Sequence, residues 1–520
     1  MNMTNQEISP KPGRYLSKKK SAAGSILCTA VLGIGFMLFF AAKWYLDTYG
    51  DTGFDSIMYT LSSDLDGVQS GLILKFLLGA VLPGLILTAA GAMALFFPPR
   101  KFRAKKWYPL PKAVSHLTAL VLSAVMLTHA ALTTGLPEYI YGLFHETPIF
   151  EEKYVDPDSV QITFPEEKRN LIYIYLESME TTFFAQKQGG AMEENHMPEL
   201  YALAEENLNF SQNKGVGGFR PVNGATWTIA AMVAHTAGVP LKIPLGVGEN
   251  DYGQDDTGFL PGIVSLQDIL AREGYYQTLM VGSVASFGGR EQYYLQHGAD
   301  YVYELVTARK DGIVPGDYFV WWGMEDKHLF TYAKQELQEI SQREEPFAFT
   351  MLTVDTHHIG GYKCEYCQDT YEEQYENVMS CSSRQVAEFV SWLKEQDFYE
   401  NTTIVITGDH LSMDNGYFDR NVSDSYTRRN YNCFINSAVD TKYNKNREFC
   451  ALDMFPTTLA AMGCKIEGEH LGLGTNLFSG KPTLIETMGY QRFDHQLSLN
   501  SDYYAEQFRL EIPEEEEETQ

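Results

Sequence analysis

The sequence predicts a two-part chain, with membrane-crossing helices followed by an α/β domain built on a mostly parallel central sheet. Two patterns lead there. Ahead of Pro137 the apolar residues collect in three uncharged stretches, 22–42, 76–97 and 113–137, each near the roughly 20 residues a helix needs to cross a bilayer. From about Phe164 onward, short apolar runs alternate with amphipathic ones, the pattern of strands and helices taken in turn.

The flanks of the apolar stretches set a topology. Lys11, Arg14, Lys18, Lys19 and Lys20 precede the first, and Arg100, Lys101, Arg103, Lys105, Lys106 and Lys112 separate the second from the third. Basic flanks stay in the cytoplasm, so both segments are expected there. Between the first and second stretches lie Asp47, Asp51, Asp55, Asp64 and Asp66, which places that loop, and everything after Pro137, outside. The first stretch has no clear small-x-small cleavage site and runs into Trp44 and Tyr45, which suits a retained anchor. The expected division is a cytoplasmic segment 1–21, a three-helix transmembrane region 22–137, a linker 138–164, an extracytoplasmic domain 165–480 and a C-terminal extension 481–520. Glu514 to Glu518 in the extension read as a solvated tail.

A formal net charge of -27 argues against a nucleic-acid partner, because neutralising phosphates needs clustered Lys and Arg. Six of the seven cysteines, Cys364, Cys367, Cys381, Cys433, Cys450 and Cys464, fall beyond the apolar region. In an oxidising compartment at least one disulfide is expected among Cys364, Cys367 and Cys381. Cys364-Glu-Tyr-Cys367 also resembles half a zinc site, but no second such pair or suitable His pair follows at finger spacing.

Within the α/β part, buried strands are expected over Leu171 to Leu176, Tyr275 to Val281, Phe347 to Val354 and Thr403 to Thr407. Val386, Phe389, Val390 and Leu393 mark one helix face between the last two. Ligands gather beyond the carboxyl ends of parallel strands, so the residues just after each run matter most. Glu177 follows the first strand, and Gly408, Asp409 and His410 follow the last. Oxygen ligands with one imidazole suit manganese, magnesium or zinc, and Gly408 would let the backbone turn tightly. Taken alone, a carboxylate there is as well explained by a cap or turn.

The segment from Gly224 to Gly238 reads as a small-residue turn entering a short helix that stops at Gly238, with Thr228 at the helix start. Unpaired N–H groups and the helix dipole favour an anion there, and a hydroxyl on a metal becomes a usable nucleophile. The plainer reading is an ordinary Thr N-cap.

Four ordered blocks carry a resemblance. They are Asn170-Leu-Ile-Tyr-Ile-Tyr-Leu-Glu-Ser178, Thr226-Trp-Thr-Ile-Ala-Ala-Met-Val-Ala234, Leu352-Thr-Val-Asp-Thr-His-His358 and Thr407-Gly-Asp-His410. With Asp453-Met-Phe-Pro-Thr-Thr and Gly472-Leu-Gly-Thr-Asn-Leu477, residues 165–480 resemble the sulfatase-like phosphoglycerol transferases of the alkaline phosphatase superfamily. That family includes lipoteichoic acid synthases and the enzymes that decorate periplasmic glucans. The resemblance implies an alkaline phosphatase/sulfatase-like fold and one divalent metal, manganese first and magnesium or zinc as rivals, held by Glu177, Thr228, Asp409 and His410. It implies Thr228 as nucleophile, with Thr226 as its rival, and His357 and Arg290 as substrate-phosphate contacts, with His358 an alternative to His357. The implied donor is phosphatidylglycerol, and the implied acceptor an envelope polysaccharide or glycolipid outside a bacterial cell membrane.

Two other functions fit the same residues. A phosphoethanolamine transferase would use the same threonine, and a non-catalytic receptor would bind anionic headgroups or glycopolymers. A true sulfatase is disfavoured, since that branch oxidises a cysteine or serine to formylglycine and no Cys lies near Thr228.

Overall fold

The computed structural model describes residues 12–50, 54, 57–58, 70–97, 109–244, 252–253 and 258–510. Lys11, Asp51, Asp55, Asp64, Asp66, the basic residues from Arg100 to Lys106 and the Glu514 to Glu518 run lie outside them. The chain divides into two compact units, the N-terminal helices up to Glu138 and a larger unit running on from Tyr139.

The first unit holds three helices long and apolar enough to cross a membrane, Ala22–Tyr49, Ile73–Phe96 and Ala113–Thr133. All three coincide with the expected stretches. Leu27, Leu85, Leu117 and Val125 are more than half exposed, as side chains facing lipid rather than water would be. Where helices meet, small residues make room: a methyl group added at Gly84 would stand 2.7 Å from Met37 Sδ, and one at Gly91 2.4 Å from Leu32.

The second unit is organised by a seven-stranded sheet. In chain order its strands are β1 (Asn170–Leu176), β2 (Gly218–Phe219), β3 (Tyr276–Val281), β4 (Tyr301–Tyr303), β5 (Phe347–Leu352), β6 (Thr402–Gly408) and β7 (Asn430–Ile435). Their spatial order is β2-β7-β6-β1-β5-β3-β4. The pairs of β1 with β5 and β6, and of β3 with β4 and β5, are parallel, while β7 runs antiparallel to β6 and to β2. The sheet is therefore mostly parallel, as the alternation of runs predicts. Ile172, Ile174 and Leu176 of β1 are fully buried, which is why the strand is a continuous apolar run without alternation. Truncating Ile174 to alanine would cost about 2–5 kcal/mol from lost burial and the cavity left behind.

Register puts strand ends together. Tyr175 lies opposite both Leu352 and Thr407, and Leu176 opposite Gly408. The residues that follow β1, β5 and β6 therefore emerge side by side at one edge of the sheet.

The helix Thr228–Ala237 ends at Gly238, whose φ of 66° supplies the left-handed cap. It packs on the Met454–Ala461 helix. A methyl group at Gly472 would stand 2.6 Å from Ala237 O, so this loop needs glycine to lie against the helix end. The two late sequence blocks thus serve as the seat of the Thr228 helix.

The core extends past 165–480. Ile149 and Phe150, in the stretch expected as a linker, belong to the main apolar cluster, and Ile162–Thr163 pairs with Lys465–Ile466. Phe493, Leu497, Tyr504 and Phe508, from the expected C-terminal extension, are buried in that cluster too. The apolar spacing of these short helices closes the open side of the core, and only packing reveals it.

Candidate active site

Strands β1 and β6 deliver three ligand-type side chains to one point. One ligand atom from each of Glu177, Asp409 and His410 lies within 4.8 Å of the others, and all three residues are buried. His410 Nε2 is 3.6 Å from Glu177 Oε1 and 3.4 Å from Asp409 Oδ2. Thr228 Oγ1 lies 3.4 Å from the same Nε2. The Thr228 hydroxyl thus reaches this cluster.

The local backbone explains the convergence. Trp227, in extended conformation, is the N-cap of the 228–237 helix and makes no side-chain cap bond. Thr228 is the first helical residue, so the plain N-cap reading fails and its hydroxyl is left for the site. Gly408 acts differently from the tight turn expected of it. A Cβ there would lie 1.9 Å from Met179 O, so the glycine makes room for the turn after β1. That turn contains Ser178 at φ 53°, the left-handed region that costs an L-residue about 1–2 kcal/mol. In this conformation Ser178 N–H donates to Asp409 Oδ1 at 2.8 Å and its hydroxyl donates to Glu177 Oε1 at 2.7 Å. Ser178 thus links the two carboxylates. Sequence reasoning quoted it only as the end of a block and gave it no role.

Whether these residues fit a cation is decided by their unsatisfied valences. Asp409 Oδ2 is buried and accepts no hydrogen bond. His410 Nδ1 bonds Leu411 O at 2.8 Å; since a carbonyl only accepts, Nδ1 carries a proton, and in the neutral ring Nε2 presents its lone pair to the cluster. Burial, with Glu177 beside it, pushes the Asp409 carboxyl up to about 7. Burial disfavours the charged form of His410 as well, but Asp409 and Glu177 outweigh it and raise its pKa above the ordinary value. Two carboxylates, an aimed imidazole lone pair and an orphaned acceptor form a donor set that a divalent cation completes.

Of the two expected phosphate contacts, His357 lies near this cluster and Arg290 lies near His357. His357 follows β5; its Nδ1 bonds His358 O at 2.8 Å and its ring packs on Trp322 at 4.6 Å between centroids. Burial lowers its pKa to about 4, and it senses the charges of His410, Asp409 and Arg290. His358 stacks on His357 at 4.3 Å and is lowered further, by burial and by its two histidine neighbours. Arg290 starts the helix Arg290–Gln296 and is buried, its guanidinium donating to Phe287 O at 2.8 Å, Ser283 Oγ at 3.0 Å and Val284 O at 2.9 Å. It is no surface charge.

A further pair went unnoticed in the sequence. Glu180 is fully buried, accepts from Arg428 Nε at 2.8 Å, and takes the Ser412 N–H at 3.1 Å. It braces the segment after His410 against the turn after β1. Only long-range pairing reveals it, since 248 positions separate the partners.

The expected disulfide among Cys364, Cys367 and Cys381 does not form. The sulfurs come together, but every cysteine is free.

The Sulfatase family model matches residues 169–464. The chain is 30% identical over 399 residues to phosphoglycerol transferase I of Citrobacter koseri, an alignment covering 74% of this chain and 48% of that one. It is 30% identical over 395 residues to phosphoglycerol transferase I of Salmonella paratyphi B, with the same coverage. The chain thus spans about half the length of the curated relatives it matches. Among solved structures, the lipoteichoic acid synthase LtaP from Listeria monocytogenes superposes with a TM-score of 0.50 at 16% identity, covering 68% of this chain and 97% of that one. At that identity the likeness speaks for the fold alone.

Proposed function

Because this chain belongs to the Sulfatase family, we propose that it is a membrane-anchored, metal-dependent transferase acting on phosphatidylglycerol through Thr228. It passes a phosphoglycerol group to a hydroxyl of a cell-envelope glycopolymer. The observation that carries this reading is the approach of Thr228 Oγ1 to His410 beside Glu177 and Asp409.

Glu177, Asp409 and His410 would hold one divalent cation, with manganese the proposed ion, beside the Thr228 hydroxyl. When bound, that cation supplies Lewis acidity, which eases deprotonation of the hydroxyl and offsets charge on the phosphoryl oxygens. The rest falls to the chain. Thr228 Oγ1 attacks phosphorus, the P–O bond to diacylglycerol breaks, and the threonine proton ends on the diacylglycerol oxygen. An acceptor hydroxyl then attacks, the P–Oγ1 bond breaks, and the acceptor's proton returns to Thr228. First-turn amides of the 228–237 helix favour the anionic group. Arg290, fixed by three hydrogen bonds, and His357 face the charge that builds on the oxygens. His357 spends its Nδ1 proton on His358 O, so it donates to phosphate through Nε2 only as an imidazolium. A bound phosphate favours that form against the burial that opposes it.

The apolar helices would cross a bacterial cell membrane and keep the larger unit outside, a topology supported by the charges flanking the stretches. Tethering raises the effective concentration of a lipid donor that does not diffuse through water.

Full-length protein in detergent, given fluorescent phosphatidylglycerol and manganese, is expected to release diacylglycerol. Turnover of phosphatidylethanolamine instead would move the reading to phosphoethanolamine transfer, and binding without turnover would make the protein a receptor.

A further inference from the structure

Away from the catalytic cluster, the structure gathers a second set of ligand-type atoms of softer chemistry. Cys364 and Cys367 lie on the loop that follows His357, and Cys381 lies in the helix Gln374–Leu393. Cys364 Sγ is 3.7 Å from Cys367 Sγ and 3.8 Å from Cys381 Sγ, and the three sulfurs fall within 4.8 Å of one another. A disulfide draws two sulfurs to about 2.05 Å and leaves the third aside. Here Cys364 stands equally far from both neighbours. Zinc bound tetrahedrally at about 2.3 Å per sulfur sets its thiolates about 3.8 Å apart, which is the spacing Cys364 has from each of its two neighbours.

We propose that Cys364, Cys367 and Cys381 bind one thiophilic divalent cation, zinc by preference, as three thiolates with a water in the fourth position.

Polar groups also line the sulfurs. The loop turns tightly at the first pair, the Cys367 N–H donating to Cys364 O at 3.1 Å. Gln385 Nε2 donates to Cys381 Sγ at 3.6 Å. Arg384 lends positive charge beside Cys381. On the other side the buried carboxyls of Asp326 and Asp355 adjoin Cys364. Burial raises both carboxyls toward their neutral form, so they add little negative charge beside the sulfurs. Cys364 and Cys381 are buried while Cys367 is half-buried.

The site has a structural consequence. It would pin the loop after His357 to the Gln374–Leu393 helix, whose Tyr375 already donates to Thr356 O at 2.9 Å. The cation would therefore hold the histidine segment in place and take no part in the chemistry.

Cobalt distinguishes this site from the oxygen-rich one, because only sulfur ligands give an intense thiolate-to-metal charge-transfer absorption. Full-length protein exchanged into cobalt is expected to show that absorption at one equivalent per chain. Peptide mapping after alkylation should show Cys364 and Cys367 protected by zinc and labelled after chelation. The half-buried Cys367→Ser variant should lose most of the absorption while keeping its fold by circular dichroism. An absent band, three thiols labelled equally with and without zinc, or a mapped disulfide joining any two of the three would overturn the proposal. Since no readout is turnover, failure here leaves the proposed transferase activity standing, and failure of that activity leaves this site standing.

Discussion

The Glu177–Asp409–His410 cluster and the Cys364–Cys367–Cys381 cluster are built by opposite means. The first joins residues far apart in the larger unit and is positioned by the register of parallel strands; 231 positions separate Ser178 from the Asp409 it bonds. The second joins a loop to the helix after it within 17 positions. Long-range register gives a site the rigidity of the sheet, which a nucleophile requires. A local sulfur cluster staples a loop that the sheet does not hold. Oxygen and imidazole on the one side, sulfur on the other, also separate the cations each would take.

Four experiments sharpen that contrast. Thr228→Ala should abolish diacylglycerol release, by roughly three orders of magnitude or more, because the attacking atom is gone. Thr226→Ala should retain most of the activity, and the two are compared by initial rates with labelled phosphatidylglycerol. Next in size, Asp409→Asn or Glu177→Gln should weaken manganese binding by about 100-fold in a titration, while cobalt absorption from the cysteines stays in place. Removing metal with a chelator should stop turnover, and manganese should restore it.

A subtler test concerns Ser178. Ser178→Ala removes the hydroxyl that orients Glu177, and such a supporting contact is worth about 10–100-fold in metal affinity or activity. The manganese Kd should rise with the fold unchanged, and an unaltered Kd would show that the hydroxyl does not orient the ligand.

The smallest effect is one of pH. His235, buried in the helix that carries Thr228, has its pKa lowered to about 3 by burial. Unfolded, it titrates near 6.5, so the unfolded chain binds the extra proton between pH 6.5 and 3 and stability is lost as pH falls through that window. By pH 5 the loss is about 2 kcal/mol at 1.36 kcal/mol per unit. Thermal unfolding of the larger unit at pH 7.5 and 5 would measure it, and His235→Leu should lessen the dependence, leaving the share of His357 and His358.

The sequence reveals the part of this molecule that repeats a simple period. The apolar helices and strands β1, β3, β5 and β6 announce themselves as long uninterrupted runs, and Glu177, Asp409 and His410 follow because strand ends are where ligands gather. Strands β2 and β4, at two and three residues, are too short to carry a period. Strand β7 escaped because Asn430 and Asn432 break its apolar run; Asn432 is buried where its side chain bonds Phe210 backbone at both ends. The left-handed Ser178 and the Glu180–Arg428 brace depend on tertiary contacts, whereas the grouping of Cys381 with Cys364 and Cys367 was legible, though not their bonding. The segments 149–163 and 484–508 join the core for the same reason.

The most direct test of the account is to trap the enzyme with phosphatidylglycerol under acid quench and locate the adduct by peptide mapping. A phosphoglycerol mass on Thr228, absent when manganese is withheld, is the predicted result. An adduct on Thr226, or turnover with no covalent species on either threonine, would contradict it.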